Sequence, residues 1–156
     1  MNKMLVAYFS ASGVTRATAE KLAAAAKADL FEIRPETPYT AADLDYTNQK
    51  ARSTLEMQDV NCRPALAADA LDLEKYDVVF IGFPIWWGRE PSIIDSFVEA
   101  HDLTGKRVIP FCTSGGGGFT NRAQIEKLLP GIAAHKELNK ATTEAELKAW
   151  LCELSL

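Results

Sequence analysis

Two hydrophobic patterns take turns along this chain: short, nearly continuous apolar runs, and longer stretches whose apolar residues recur with helical spacing. Residues 3 to 9, "KMLVAYF", read as a mostly buried strand, and residues 14 to 28 as an alanine-rich helix with Ala17, Leu22, Ala25 and Ala26 on its inner face. "DLFEIRP" alternates apolar and polar residues until Pro35 and predicts a short second strand. Residues 36 to 42 read as loop, 43 to 57 as a polar helix, and 58 to 73 as a looser connection. "YDVVFIGF" is the strongest strand pattern, apolar on both faces as expected of a central parallel strand covered by helices. The amphipathic "IIDSFVEAH" follows, then "GKRVIPFC" as a fourth strand, a helix near 120 to 129, a weak fifth strand around "AHKELNK" and a helix near 143 to 153. Strands alternating with helices predict an α/β fold with a parallel sheet and right-handed crossovers.

Composition narrows this picture. A length of 156 residues predicts a single domain, 1–156, with one sizeable core. Hydrophobic residues at 47% and charged residues at 24% match an ordinary globular balance. A formal net charge of -4 gives no pull toward nucleic acid or an anionic membrane. The longest apolar stretch, "VVFIGFPIWW", is broken by Gly82 and Pro84 and falls well short of the roughly 20 residues that span a bilayer. No export signal is visible at the N-terminus, so a cytoplasmic location is expected. Cys62, Cys112 and Cys152 are odd in number and widely spaced; they predict reduced thiols, with neither a disulfide framework nor a metal centre.

Ligands of open α/β sheets bind outside the carboxyl ends of the strands, and three loops leaving those ends are unusual. In "SASGVT", Gly13 permits a tight turn while amides at the start of the next helix, with the hydroxyls of Ser10, Ser12 and Thr15, suit an anion such as a terminal phosphate. An ordinary helix N-cap is the simpler reading of the same residues. There is no Gly-x-Gly-x-x-Gly and no Gly-Lys-Ser/Thr, which argues against dinucleotides and nucleoside triphosphates. In "PIWWGRE", Trp86 and Trp87 stand between Pro84 and Gly88; at least one is expected to face a planar ring at the ligand edge, the alternative being packing against the next helix. In "TSGGGGFTN", Thr113, Ser114 and Gly115 to Gly118 let main chain lie flat against a ligand, a flexible linker being the alternative.

"YFSASGVT", "YDVVFIGFPIWWG" and "VIPFCTSGGGGF", in this order, make nearly the whole chain resemble the flavodoxin family and its flavodoxin-like oxidoreductase branch. The resemblance implies a flavodoxin-like three-layer sandwich, with a five-stranded parallel sheet in the order 2-1-3-4-5, that binds FMN. It implies that Ser10, Ser12, Gly13, Val14 and Thr15 hold the phosphate. Pro84, Ile85, Trp86, Trp87 and Gly88 would line the isoalloxazine, and Thr113, Ser114, Gly115 and Gly116 its other side or pyrimidine edge. Val14 stands where the family often has Asn, leaving only a backbone amide. Arg89 and Glu90 replace residues more often uncharged, and a cation at Arg89 would favour the reduced ring. The family's habit of turning a carbonyl toward the reduced ring places that carbonyl at Trp87 or Gly88 and implies one-electron capability.

No acid-base or nucleophilic set is needed, because flavin supplies the redox chemistry. His101 and His135 read as ordinary histidines rather than metal ligands, and Cys112 as a buried strand thiol. Tyr39 and Tyr46 follow strand two, where they either cover the site or pack locally. The expected function is an FMN-binding redox protein working with a redox partner protein or a small-molecule electron acceptor. The alternatives are an NAD(P)H-dependent quinone-type reductase and a flavin-free binding module. Carriers usually have a strongly acidic docking rim; the moderate charge, with Arg16, Arg89 and Arg122 beside the loops, weakens the carrier reading.

Overall fold

The computed structural model describes residues 3–114 and 118–156. Five strands, β1 (Met4–Tyr8), β2 (Asp29–Glu32), β3 (Val78–Pro84), β4 (Arg107–Thr113) and β5 (Lys136–Leu138), form one sheet in the order β2-β1-β3-β4-β5. Every neighbouring pair is parallel, which is the expected topology. Five helices accompany them: α1 (Val14–Ala26), α2 (Arg52–Gln58), α3 (Ser92–Ala100), α4 (Ala123–Leu128) and α5 (Glu144–Glu153).

Strand alternation divides the core between the two faces of the sheet. Leu5, Ala7, Val79, Ile81, Phe83 and Cys112 point one way, onto Ile93, Ile94 and Phe97 of α3 and Ile125 of α4. Val6, Tyr8, Phe80, Ile109 and Phe111 point the other way, onto Ala19, Leu22 and Ala23 of α1 and Leu147, Trp150 and Leu151 of α5. The edge of Trp150 meets Phe80 at a centroid distance of 5.6 Å. Burying each such large side chain contributes about 1.5–3 kcal/mol. β3 is buried from Val78 to Phe83, as its unbroken apolar run requires, whereas edge strand β2 leaves Leu30 exposed.

Two local expectations change. The inner face of α1 is Thr15, Thr18, Ala19, Leu22, Ala23 and Ala26; Ala17 is exposed and Ala25 only half-buried. Alanines on every side of the helix gave the pattern no unique phase. The polar helix expected over 43–57 is confined to α2, and turns precede it. Short polar side chains there take local backbone N–H groups: Asp43 Oδ2 accepts from Thr40 N–H at 2.9 Å, Asp45 Oδ1 from Thr47 N–H at 3.0 Å, and Asn48 Oδ1 from Lys50 N–H at 3.0 Å. Such bonds compete with helix formation.

The packing of β3 on β4 leaves no space above Gly82: a Cβ there would lie 2.1 Å from the fully buried ring of Phe111. Gly82→Ala is therefore expected to cost about 3 kcal/mol or more, read as a lower urea midpoint with an unchanged m-value.

Candidate functional site

β1, β3 and β4 end at the same edge of the sheet, and their loops are bonded to one another there. Gly13, the residue before α1, has φ 94, a conformation that costs glycine little. Ser10 Oγ accepts from the Gly13 N–H at 3.0 Å and the Arg16 N–H at 3.2 Å, closing the first loop into a compact turn. Val14 and Thr15 open a helix of 13 residues, so their N–H groups have no intrahelical acceptor and sit at its partly positive end. Thr15 Oγ1 and Thr113 Oγ1 are 2.7 Å apart and buried, joining the first loop to the end of β4.

The second loop is a tight turn. Trp86 and Arg89 exchange backbone hydrogen bonds of 3.0 and 3.2 Å, and both residues between them have positive φ, Trp87 at 51 and Gly88 at 79. This is a type I′ turn, and for a bulky residue such as Trp87 it costs about 1–2 kcal/mol. Trp87 remains 51% exposed. Trp86 instead turns inward, edge-to-face with Phe9 at 5.6 Å and Tyr39 at 5.4 Å. Of the two tryptophans, Trp87 is therefore the one exposed at the surface of the turn and Trp86 the one that packs. Ile85 N–H donates to Thr113 C=O at 3.2 Å. Asn121 N–H donates to Gly88 C=O at 2.9 Å, a tether that any rotation of that carbonyl must break.

Of the third loop, Thr113 is buried and Ser114 half-buried, and Ser114 Oγ accepts from Gly118 N–H at 3.0 Å. Gly115 and Gly116 lie outside the described residues. Two cavities flank the second loop and share Ser12, Pro84, Ile85 and Trp86. One, of about 350 Å³, continues to Val14, Thr113, Ser114, Asn139 and Lys140. The other, of about 390 Å³, continues to Ala11, Leu44, Tyr46, Ser53 and Trp87, none of them charged. Residues of all three loops thus line this pair of cavities, Ser12 and Val14 from the first, Pro84 to Trp87 from the second and Thr113 and Ser114 from the third, whereas Ser10, Gly13, Thr15 and Gly88 line neither. A third cavity, of about 400 Å³, lies at the opposite end of β4 among residues 101–106 and 128–132, with none of these loops.

Asn139, Lys140, Leu44 and Ser53 were missed from the sequence. The polar "NK" directly after the weak fifth strand was a usable signal for the first two. Leu44 gave none, because a helix was expected where the chain makes turns, and Ser53 gave none, because within α2 it reads as one more residue of a polar helix. Tyr39 packs rather than covers: its hydroxyl bonds Glu56, Arg52 stacks on its ring at 3.9 Å, and Arg52 Nε is 3.0 Å from Glu56 Oε2. Burial, and then the Glu56 carboxylate, push its phenol well above the ordinary range.

The arginines beside the loops are not free cations. Arg16 pairs with Glu32, and Arg122 with Glu126 at 2.8 Å. Arg89 is buried and turned under the loop, 2.8 Å from Asp95 and 3.8 Å from Glu90. A charge-bearing Arg89 directed at the ring is therefore replaced by an internally compensated cluster, which Arg63 approaches to 4.0 Å. Neither Glu90 oxygen has a hydrogen-bond partner among the described residues. Burial, reinforced by Asp95, pushes the Glu90 carboxyl well up.

A five-stranded parallel sheet in the order 2-1-3-4-5 with helices on both faces is a flavodoxin-like α/β fold. The flavodoxin family model matches residues 3–154, and the chain belongs to that family. It is similar to the structure of a candidate flavoprotein from Bacteroides eggerthii, with 45% identity over 100% of this chain and 99% of that one, at a TM-score of 0.94. A second, from Bacteroides uniformis, shares 42% identity over 97% and 98% of the chains, at 0.91. A flavoprotein from Lactobacillus acidophilus, solved in complex with FMN, shares the fold at 22% identity over 96% and 99%, at 0.71. No curated protein matches the chain. No described helix is long and apolar enough to cross a membrane.

Because Glu90 holds its proton in the folded protein above the pH at which the unfolded chain releases it, its contribution is full below the ordinary carboxylate range and is lost as pH rises. With the folded-state carboxyl raised to about 9, wild-type stability should therefore fall as pH rises from about 5 to about 9. Glu90→Gln should flatten that slope in urea titrations at several pH values.

Proposed function

We propose that this chain binds FMN at the loop edge of its sheet and works as a redox protein. The observation that carries the reading is the convergence of the α1 N-terminus, the tryptophan turn and the end of β4, joined at Thr113 by its 2.7 Å contact with Thr15 and by the 3.2 Å bond from Ile85 N–H to its carbonyl. The residues fit the group. Ser12, Val14 and Thr15 offer hydroxyls and helix-end amides to a phosphate, while Pro84 to Gly88 offer aromatic surface and backbone to a planar ring. Ser10 shapes the phosphate turn through its own bonds to Gly13 and Arg16. Thr113 and Ser114 complete the opposite wall. Bound FMN would supply the redox chemistry, and the protein binds, orients and shields it.

A second observation favours an oxidoreductase over a protein-to-protein carrier. The cavity of about 390 Å³ beside Trp86 and Trp87 has no charged lining residue, which suits a small neutral acceptor. Arg16, Arg89 and Arg122 are each paired with a carboxylate, so none of the three is a free cation for steering a protein partner. The NAD(P)H-dependent quinone-type reductase is the particular form of this reading. Anaerobic absorbance of the FMN-loaded protein separates the two. Rapid bleaching on addition of NADPH or NADH is the expected result. No bleaching, with full reduction by dithionite, assigns the chain to the carriers.

A further inference from the structure

Behind the third loop, on the α3 and α4 side of the sheet, the fold assembles residues of three different ligand chemistries. Cys112 and Glu137 are register partners across β4 and β5, so their side chains leave the sheet on one face. His135, two residues before Glu137, joins them. The cysteine sulfur, an imidazole nitrogen and a carboxylate oxygen all lie within 4.8 Å of one another. Closing these gaps by about 1 Å would give the edges of a tetrahedron with bonds of about 2.0–2.3 Å.

We propose that Cys112, His135 and Glu137 form a site for a borderline-soft divalent cation of the zinc class. Thiolate, imidazole and carboxylate together select such an ion, and three protein ligands leave a fourth position for water. Cys112 is fully buried, His135 half-buried and Glu137 exposed, so the ion enters from the Glu137 side. Without metal, burial and the Glu137 carboxylate push the Cys112 thiol up to about 12, and the thiol stays neutral. On binding, the S–H bond is replaced by an S–metal bond and the proton leaves to solvent.

The surroundings are already arranged. Phe119 N–H donates to Glu137 Oε1 at 3.2 Å, and the Phe119 ring meets the imidazole at 5.0 Å. Arg122 Nη1 donates to His135 Nδ1 at 3.0 Å, and its guanidinium also reaches Ala133 C=O and Glu126. Arg122 is thus the competitor: it must give up the imidazole for the ion to bind, and its charge opposes the cation. The bound ion would fix the end of β4 to β5 where the third loop begins. This site requires no flavin.

Cobalt(II) is the probe, because thiolate ligation produces an intense charge-transfer band. Titration of the purified protein should give that band at one ion per chain, unchanged in a Cys62→Ser/Cys152→Ser variant. It should vanish in Cys112→Ser and in His135→Asn, the second substitution leaving the strand core untouched. Arg122→Met should tighten binding by about tenfold, an effect that a merely structural arginine would not produce. Absence of the band in protein with an unchanged circular dichroism spectrum, or its survival in both ligand variants, overturns the site. Unchanged affinity in Arg122→Met overturns the role given to that residue.

Discussion

The register of β1, β3 and β4 is the constraint on which the site depends. Tyr8 lies opposite Gly82, Gly82 opposite Phe111, and Pro84 opposite Thr113. The three strands therefore release their chains within a few ångströms of a common edge, and loops far apart in sequence become neighbours. Phe111 fits over a glycine and no other residue at that level of the sheet. In a parallel sheet with both faces covered, a slip of one residue would exchange the side chains meant for α1 and α5 with those meant for α3 and α4. The bond from Ile85 N–H to Thr113 C=O and the Thr15–Thr113 contact are the outermost marks of that register.

Charge around this edge is settled locally. Arg16 leans back to β2 and Arg122 to α4, while Arg89 goes under its own loop to two buried carboxyls. Burying charge is costly unless partners compensate it, and here the cation has Asp95 while Glu90 keeps its proton. The result is a turn that displays Trp87 to solvent while anchored from beneath. The same economy explains Tyr39, which is fixed by Glu56 and Arg52 and in turn backs Trp86.

Much of the fold was legible because its signals are local and redundant. The apolar run of β3 could only be a strand covered on both faces, and Pro35 and Gly13 mark the ends of neighbouring elements. The loops gathered into the site were readable because each follows a strand. What escaped depends on pairing in space. Arg89 reads as a charge beside a ring until Asp95, six residues on, is seen to fold beneath it. The turns over 41–51 follow from side chains of Thr40, Asp43, Asp45 and Asn48 that compete for backbone in a stretch whose composition otherwise suits a helix. The approach of Cys112 to His135 and Glu137 requires the β4–β5 register, and a three-residue β5 scarcely announces itself.

The central claim is that the first loop recognises a phosphate and the second a flavin ring. Comparing FMN with riboflavin in fluorescence titrations of flavin-free protein tests both parts together, since the two ligands share the ring and differ in the phosphate. The account predicts quenching at one FMN per chain and riboflavin binding weaker by about a hundredfold, about 2.7 kcal/mol. Equal affinity for both would contradict the phosphate site, and unchanged emission with either would contradict the flavin site itself.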